Sequence, residues 1–416
     1  MYKVTKYCRM CLNKKIIVWL KLSKMPLGER YTFDKKSALR SKKFPLTIGW
    51  CNKCKNIQTM EVVSPKILWG DFTYISGQTN SIVKHFKQIA GMITKKFQLK
   101  KNDFVIDIGS NDGSLLKFFK NKNFRVLGID PANKIANIAN KRGIKTLVGF
   151  FNFKIVKKIK KNYPKAKIIT CFNTFAHSEN MREIISGVKE IMDENGVFVF
   201  ECQYLNDIYK KKILGTFFHE HMYHHSVTSL YNFLKSFDLD LFHVQKINIQ
   251  KGSIIGFACK KNKFKISNDV RSFLKLEKKS GDNQFSKLTN FQRYILMQKK
   301  KSQKILNKFN KKIIGGYGAA RSGPTLALNF GVAKYLRMLF DDHRLKKNKY
   351  TPLRGLFVHP TKKILKYKPE VMVVLAYLHL KKILKKNIQY IKNGGKFLSL
   401  YPEVTLITKK NYKKFV

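Results

Sequence analysis

The sequence predicts an α/β protein in three parts: a small cysteine-rich N-terminal domain, followed by two Rossmann-like domains in tandem. Two C-x-x-C pairs lie within the first 54 residues. Two apolar runs, near residues 104 and 313, each lead through closely spaced glycines into a helical pattern. Further apolar runs alternate with helical patterns, which is typical of βαβ units. At 416 residues the chain is also too long for one ordinary domain.

We predict the domain boundaries from these patterns. The N-terminal domain spans residues 1–70, the central domain 71–265, a helical connector 266–310 and the C-terminal domain 311–416. The apolar residues of the connector recur at helical spacing, so we expect it to pack between domains rather than to form a solvated spacer. These residues are Phe273, Leu276, Leu288, Phe291 and Ile295.

Each predicted domain has its own set of strands. The N-terminal domain contains a strand-like run from Ile16 to Leu20, and a helix is predicted from Thr79 to Phe97. Central strands are predicted at 104–108, 124–129, 144–148, 167–173, 196–202, 240–248 and 253–259. The last two follow each other closely, as in an antiparallel hairpin. C-terminal strands are predicted at 335–340, 355–358, 371–377 and 396–400.

The stretch from Asp103 to Phe119 reads as strand, glycine turn and helix. Asp107 ends the strand, and Gly109 and Gly113 provide a turn at which backbone can lie against a ligand. The G-x-x-x-G spacing lacks the third glycine of the dinucleotide fingerprint, which argues against a bound pyrophosphate. Asp130 ends the next strand and is placed to bind ribose hydroxyls. S-adenosylmethionine (SAM) has a ribose but no phosphate and fits this pattern; the alternative is an ordinary βαβ unit without a ligand.

The two C-x-x-C pairs predict one tetrahedral zinc site, because thiolates two residues apart in a tight turn can bind the same ion. Four thiolates leave no open coordination position, so a structural role is expected. A redox dithiol and a nucleic-acid-binding finger are the alternatives. The proposed ligands are Cys8, Cys11, Cys51 and Cys54. The other three cysteines sit singly in apolar stretches and are expected in the core: Cys171, Cys202 and Cys259.

The net charge of +59 results from 84 basic and 25 acidic residues. Only 12 of the basic residues are Arg. Lysines are spread over every segment, whereas phosphate-reading sites usually concentrate arginine. The diffuse charge attracts polyanions non-specifically and helps to steer a phosphorylated small substrate. No apolar run is long enough for a membrane span. We therefore expect a cytoplasmic protein without a membrane or specific nucleic-acid partner; a monomer is compatible with the sequence.

The tract His219–His225 is the densest cluster of titratable residues. A zinc protease needs H-E-x-x-H, but Tyr223 stands at the position of the second histidine. Another metal site is an alternative, while acid/base chemistry fits better because histidine titrates near neutrality and Glu220 can orient it. His177 follows a neighbouring strand and is expected at the same rim of the sheet.

The motifs in their order identify a resemblance that covers essentially the whole chain. They are C-x-x-C twice, D-x-x-Y-x-S-G, D-I-G-S-N-D-G-x-L-L, G-I-D-P-A, N-x-F-A-H, H-E-H-x-x-Y and G-Y-G-A-x-x-x-G-x-T-L. This order resembles the three-domain sugar C-methyltransferases, which act on nucleotide-linked keto-deoxysugars in deoxysugar biosynthesis. The resemblance implies an N-terminal zinc domain, a central class I SAM-dependent methyltransferase domain and a C-terminal Rossmann-like domain that helps to hold the nucleotide sugar.

The resemblance also implies roles for individual residues. His221 matches the proposed base, and the other active-site polar residues are Glu220, His177 and Tyr74. The residues expected to bind SAM are Asp107, Gly109, Ser110, Asn111, Gly113, Asp130, Pro131 and Asn173.

Three departures from the family pattern matter, and the first two bear on the substrate and on C-methylation. Phe218 replaces a common Tyr, Gln250-Lys251-Gly252-Ser253 replaces H-G-G-S, and the variable basic position is Arg321, which could pair with a phosphate. O- or N-methyl transfer to a related sugar is therefore an alternative to C-methylation. An RNA or DNA methyltransferase and a binding protein without catalysis are further alternatives.

Overall fold

The computed structural model describes residues 1–69, 74–249, 252–281 and 284–416. Asp71, Phe72 and Thr73 of the D-x-x-Y-x-S-G motif and the pair Gln250-Lys251 lie outside these ranges. Among the described residues there is no helix long and apolar enough to cross a membrane.

The N-terminal region consists mainly of short strands around the four cysteines. Its elements are β1 (Tyr2–Val4), β2 (Ile17–Pro26), α1 (Lys35–Leu39), β3 (Lys43–Trp50), β4 (Ile57–Thr59), β5 (Glu61–Val63) and α2 (Pro65–Trp69). The strand predicted from Ile16 to Leu20 is present but continues to Pro26, because Met25 is also buried in the core.

The central region begins with α3 (Asn80–Lys96), which Thr79 and Phe97 flank as cap residues, in agreement with the predicted helix. The following elements alternate as predicted for a parallel sheet. They are β6 (Phe104–Ile108), α4 (Ser114–Lys120), β7 (Arg125–Asp130), α5 (Asn133–Lys141), β8 (Thr146–Val148), α6 (Phe153–Asn162), β9 (Ala166–Phe172), α7 (Met181–Ile191), β10 (Met192–Gln203), α8 (Leu205–Lys210), β11 (Tyr223–His224), α9 (Val227–Lys235), β12 (Leu239–Ile247) and β13 (Ser253–Lys260).

Seven central strands form one sheet in the order β12-β13-β10-β9-β6-β7-β8. Strands β6 to β10 are parallel, whereas β13 runs antiparallel to both β10 and β12. The predicted parallel sheet with an antiparallel hairpin is therefore confirmed. The chain order reverses between β6 and β9, so the crevice at their carboxyl ends is the place where such sheets bind ligands.

Strand β11 was not predicted. It pairs antiparallel with β4, which gives a four-stranded sheet in the order β11-β4-β3-β2. One strand of the N-terminal sheet thus comes from the histidine tract of the central region. A two-residue strand has too little periodicity to be identified from sequence.

The connector forms two helices, α10 (Asn268–Ser280) and α11 (Phe285–Asn307). The apolar side of α11 packs against both the N-terminal sheet and the C-terminal domain; Phe291 and Ile295, for example, share a core with Trp19 and Leu326. The prediction that the connector packs between domains is confirmed for α11. It is wrong for Leu276, whose side chain is 46% exposed.

The C-terminal region forms a second α/β sheet. Its elements are β14 (Ile314–Tyr317), α12 (Gly323–Asn329), β15 (Met338–Phe340), β16 (Val358–His359), α13 (Ile364–Tyr367), β17 (Val371–Val374), α14 (Leu380–Lys386), α15 (Ile388–Lys392), β18 (Lys396–Ser399) and β19 (Thr405–Ile407). The strand order is β16-β15-β14-β17-β18-β19, and β19 alone runs antiparallel to its neighbour. Strands predicted at 335–340 and 371–377 are shorter, because 3-10 turns occupy Ala333–Tyr335 and Tyr377–His379.

Candidate active site

The turn between β6 and α4 has the left-handed backbone that the sequence predicts. The φ angles of Gly109, Asn111 and Gly113 are +75°, +51° and +74°. A Cβ on Gly109 would lie 2.2 Å from Thr174 Oγ1, and a Cβ on Gly113 would lie 2.9 Å from Ile144 Cγ2. The two glycines therefore have two roles. They allow neighbouring loops to pack closely on the turn, and they leave its backbone exposed.

Asp130, at the end of β7, holds this turn in place. Its Oδ2 accepts a hydrogen bond from Asn111 N at 2.9 Å, and its Oδ1 accepts one from Ala132 N at 2.8 Å. Burial raises the pKa of this carboxyl, and the two backbone donors oppose the rise. Each carboxylate oxygen retains acceptor capacity. Asp130 can therefore still accept hydrogen bonds from ribose hydroxyls.

Asp107, at the end of β6, is almost completely buried. Its Oδ1 accepts a hydrogen bond from Thr170 Oγ1 at 2.7 Å. Burial raises the pKa of Asp107 to about 7; the Thr170 hydroxyl opposes this rise and the nearby Asp130 charge adds to it. A cation bound nearby favours the charged carboxylate. SAM carries both a sulfonium and an ammonium group and is a ligand of this kind.

The segment that carries Tyr74 docks directly on the glycine turn. Asn111 Oδ1 accepts a hydrogen bond from Ser76 N at 2.9 Å, and Asn111 Nδ2 donates to Tyr74 O at 3.0 Å. Gly77 lies so close that a Cβ there would be 2.5 Å from Asp112 Oδ2. The Y-x-S-G motif thus packs directly on the S-N-D-G motif, which forms the turn. This contact explains why the two motifs occur together.

The glycine turn opens onto a cavity of about 1330 Å³ that all three regions of the chain enclose. Ligand pockets for one small molecule are usually about 300–1,000 Å³, so this cavity has room for a donor and an acceptor together. Ten of the predicted site residues line it: Tyr74, Asp107, Gly109, Ser110, Asn111, Asp130, Pro131, Asn173, His177 and His221. Within the described ranges, Gly113 and Glu220 are not part of its wall.

His221 is fixed in one tautomer by the backbone. Its Nδ1 lies 2.8 Å from Thr216 O. Because a carbonyl oxygen only accepts, Nδ1 carries the proton and Nε2 carries the lone pair. Burial lowers the pKa of His221 to about 4; the bond to Thr216 opposes this and the Arg321 charge adds to it. The imidazole is therefore neutral near pH 7, as a general base must be.

His177 and His221 are brought together in the cavity wall. Their ring centroids are 5.1 Å apart, and His177 stacks on Trp69 at 5.3 Å. Burial lowers the pKa of His177 well below its usual value, and His221 and Arg321 add to this shift. Phe218 covers His221 with a ring separation of 3.9 Å. The two histidines are thus parts of one aromatic wall, to which the N-terminal region contributes Trp69.

Glu220 does not orient His221 as the sequence suggested. The hydrogen-bond partner of the His221 ring is Thr216, whose hydroxyl in turn donates to Gln203 Oε1. Glu220 is buried, which raises its pKa, and the charge of Arg321 opposes that rise. Adjacent residues on a turning backbone project to different sides, so sequence proximity did not place the two side chains together.

The other histidines of the tract lie deeper in the protein. His219 Nε2 lies 3.1 Å from Pro45 O in the N-terminal region. His224 and His225 are 2% and 0% exposed. The tract therefore supplies one imidazole to the cavity, while the others pack between regions.

A buried pair next to the cavity was missed in the sequence. His85 Nε2 lies 2.6 Å from Glu201 Oε2, and Asn173 Nδ2 donates to Glu201 Oε1 at 3.1 Å. This bond fixes the amide of Asn173 and leaves its Oδ1 as an acceptor. Glu201 and Gln203 occupy the last positions of a buried strand, which is the same signal that identified Asp107 and Asp130.

The regions of the chain contribute different ionisable groups to the cavity lining. The central region supplies the carboxylates of Asp107, Asp130 and Glu201, whereas the C-terminal region supplies basic side chains. These basic residues are Arg321, His343, Arg344, Lys346 and His379. The cavity therefore offers carboxylates for a cationic ligand and guanidinium groups for an anionic one.

The second glycine turn, after β14, does not open onto a cavity in the way that the first turn does. Asp341 Oδ2 accepts a hydrogen bond from Ala319 N at 2.7 Å, and Ala319 O accepts one from Tyr31 OH at 2.6 Å. A Cβ on Gly28 would lie 2.6 Å from Arg321 O. Only about 10 Å³ of space remains between these segments. The N-terminal region therefore covers one side of this turn, while Arg321 and Ser322 at its end line the large cavity.

The four cysteines of the C-x-x-C pairs meet at one point, as the sequence predicts. Their sulfur atoms all lie within 4.8 Å of one another, with Cys8 Sγ 3.5 Å from Cys54 Sγ and Cys11 Sγ 3.6 Å from Cys51 Sγ. A tetrahedral zinc site with Zn–S bonds of about 2.3 Å has S···S edges of about 3.8 Å. The Cys51 sulfur and burial raise the pKa of Cys8 to about 12. Four crowded thiols become four thiolates only around a cation, so the donor set fits zinc.

Three family models match consecutive parts of the chain. They are described as "Putative zinc binding domain" for residues 8–69, "Methyltransferase domain" for residues 84–244 and "C-methyltransferase C-terminal domain" for residues 248–402.

The chain is similar to the C-methyltransferase NovU of Streptomyces niveus, with 25% identity over 405 residues that cover 96% of each chain. It is 28% identical to an uncharacterised Methanocaldococcus jannaschii protein over 125 residues, which cover 30% of this chain and 46% of that protein.

Two solved structures resemble part of the chain. A SAM-dependent methyltransferase from Clostridium acetobutylicum has 14% identity, a TM-score of 0.35 and coverage of 47% of this chain and 96% of its own. Magnesium protoporphyrin IX methyltransferase from Synechocystis has 16% identity, a TM-score of 0.35 and coverage of 47% and 92%. Such low TM-scores add nothing to the assignment.

The family matches follow the structure from the cysteine cluster through the seven-stranded sheet to the six-stranded sheet. The seven-stranded sheet carries a glycine turn and a ribose-type acid that fit SAM, and the cluster fits zinc. The chain is therefore a SAM-dependent methyltransferase with a structural zinc site, and its three parts match in order a zinc-binding domain, a methyltransferase domain and a C-methyltransferase C-terminal domain.

Proposed function

We propose that this enzyme transfers the methyl group of SAM to a carbon next to the keto group of a nucleotide-linked sugar. The observation that carries the proposal is His221, a neutral imidazole with a basic Nε2 in a cavity lined by both carboxylates and arginine side chains. The carboxylates of the central region suit the cationic methyl donor. The basic side chains of the C-terminal region, which include Arg321 and Arg344, suit the diphosphate of a nucleotide sugar.

His221 would act as the base. A carbon next to a carbonyl becomes nucleophilic when its proton is removed and the electron pair delocalises onto the carbonyl oxygen. The Nε2 lone pair accepts this proton, while Nδ1–H stays bonded to Thr216 O and holds the ring in place. When bound, SAM would supply an electrophilic methyl group, whose bond to sulfur breaks as the bond to carbon forms, with S-adenosylhomocysteine as the leaving group.

The developing enolate oxygen needs hydrogen-bond donors. Tyr74 and the neutral His177 are the proposed donors, since both line the cavity. Phe218, which packs against the ring of His221, has no hydroxyl that could serve as a further donor. O- or N-methyl transfer to a related sugar is the alternative that Phe218 favours, because those atoms already carry a lone pair.

The acceptor can be identified by transfer of labelled methyl from SAM to a panel of nucleotide keto-sugars and tRNA. We expect label in a nucleotide sugar, with a new C–CH₃ signal in its NMR spectrum. Label on sugar oxygen or nitrogen would establish the alternative, and label in RNA would exclude a sugar acceptor.

The base can be tested with His221→Ala. We expect the transfer rate to fall at least about a hundredfold, as removal of a general base usually does, while SAM affinity is retained. In D₂O, the variant should also lose exchange of the hydrogen next to the keto group. His359→Asn, a half-buried histidine outside the cavity, is the matched control. Full transfer activity in His221→Ala would remove His221 from the mechanism.

A further inference from the structure

The first zinc turn lies directly behind the histidine tract. Arg9, inside the Cys8–Cys11 turn, donates from Nη2 to Met222 O at 2.9 Å. Thr59 N, at the end of β4, donates to the same carbonyl at 3.0 Å. Met222 follows His221 immediately in the sequence. The backbone next to the proposed base is therefore anchored by the N-terminal region.

The same zinc turn also holds the loop of His177. Arg182 at the start of α7 donates from Nη1 to Met10 O at 2.8 Å. Met222 N donates to Ala176 O at 3.0 Å, next to His177. One turn of four residues thus contacts the two segments whose histidines stack in the cavity wall.

Arg9 is unusual among the basic residues of this lysine-rich chain because it is only 6% exposed. Its guanidinium lies 4.8 Å from the ring of Tyr223, and Nε and Nη1 have no hydrogen-bond partner among the described residues. A buried charge is costly unless an opposite charge lies near. Zinc with four thiolates would carry a net charge of −2, and Arg9 directly follows the proposed ligand Cys8 in the sequence.

We propose that Arg9 and Arg182 are positioning residues that clamp the loops of His177 and His221 to the zinc turn. The proposal depends on the proposed function for its effect on catalysis, but its structural part does not. The clamp gives the structural metal domain a role at the active site: it fixes the part of the cavity wall that carries His177 and His221, whereas the glycine turn proposed to bind SAM is built within the central region.

The test compares Arg9→Met and Arg182→Met with Lys53→Met, an exposed position in the second zinc turn. We expect both arginine variants to retain zinc by elemental analysis and to bind SAM with unchanged affinity. Backbone amides of residues 219–225 should exchange hydrogen at least about tenfold faster, since a tenfold change corresponds to about 1.4 kcal/mol, as one hydrogen bond to a charged group contributes. Lys53→Met should match the parent protein.

The catalytic part is tested with the acceptor identified by methyl labelling. In both arginine variants kcat should fall at least about tenfold with KM for SAM unchanged, and Arg9→Lys should restore part of kcat because it retains one donor. Unchanged exchange in residues 219–225, or faster exchange with unchanged kcat, would overturn the proposal. If Arg9→Met fails to fold, Arg182→Met decides, because that side chain is half-buried. An active His221→Ala would refute the proposed base but leave the exchange result intact.

Discussion

The two glycine turns of this protein have the same local design and different surroundings. In both, an acid at the end of the second strand accepts a hydrogen bond from the turn: Asp130 from Asn111 N, and Asp341 from Ala319 N. The first turn faces a cavity of about 1330 Å³. The second is covered by the N-terminal segment around Gly28, with about 10 Å³ left.

The difference teaches that strand, glycine turn and acid specify a loop shape but not a ligand. The loop can bind a ligand only where the segments packed around it leave space beside it, as they do at the first turn. At the second turn, Tyr31 OH donates a hydrogen bond to Ala319 O. Lys346 Nζ also donates to Ala319 O and pairs with Glu29. The N-terminal segment therefore docks on that turn, and the basic residues beside it face the shared cavity.

The sharpest test of this comparison is a pair of matched variants, Asp130→Ala and Asp341→Ala. Hydrogen bonds to a charged group contribute about 1.5–3 kcal/mol each, so Asp130→Ala should weaken SAM binding at least about 100-fold by calorimetry. Asp341→Ala should leave SAM affinity unchanged. Equal losses in both variants would show that the second turn also belongs to the SAM site.

Acid should destabilise the region around the open turn first. The pKa values of five histidines there are lowered by burial: His177, His219, His221, His224 and His225. The unfolded state then binds more protons, so stability falls as pH drops below about 6.5, the unfolded value.

Three carboxyl groups act in the opposite direction, because burial raises the pKa values of Asp107, Asp130 and Glu220, but they are three groups against five. Between pH 7.5 and 5.5 we expect the free energy of unfolding to fall, because more buried histidines than buried carboxyls titrate in this range. Hydrogen exchange at the two pH values should show residues 104–260 opening before residues 314–407. Stability that is constant or rises toward pH 5.5 would contradict these shifts.

Gly28→Ala tests the covered turn. The new Cβ would lie 2.6 Å from Arg321 O, a backbone atom that cannot move away easily. We expect the free energy of unfolding to fall by about 1–3 kcal/mol, as for other overpacked sites. SAM affinity should not change, since the first turn is independent. Denaturant titration together with calorimetry measures both; weaker SAM binding would link the two turns.

Gly91→Ala should give the smallest change in stability. It is the control for Gly28→Ala, because no neighbouring atom requires a glycine at this position. It lies inside α3, and a Cβ there would meet no atom within 4 Å. Alanine in a helix interior is favoured over glycine by about 0.5–1 kcal/mol. Denaturant titration should therefore show a small gain in stability, and a loss would mean that this face of α3 has an unseen contact.

Most of the fold and the positions of the two candidate ligand sites could be predicted from local patterns. Strand and helix periodicity located β6, β7, β9 and α3 to within one or two residues, and cysteine spacing identified the zinc ligands. These signals act between residues that are close in sequence. The partner of His221 could not be predicted in this way, because Thr216 contributes its backbone carbonyl, which no side-chain motif reveals. The pair of His85 and Glu201 is separated by 116 positions and was missed for the same reason.

The sequence by itself determined the two α/β sheets, the four zinc ligands and the turn that fits SAM, since each depends on spacing within a short stretch. The tertiary structure alone decided which glycine turn stays open, which group orients the imidazole and how the zinc turn reaches it. Arg9 and Met222 are 213 positions apart. Contacts over such distances depend on how whole domains pack, and no local pattern encodes that packing.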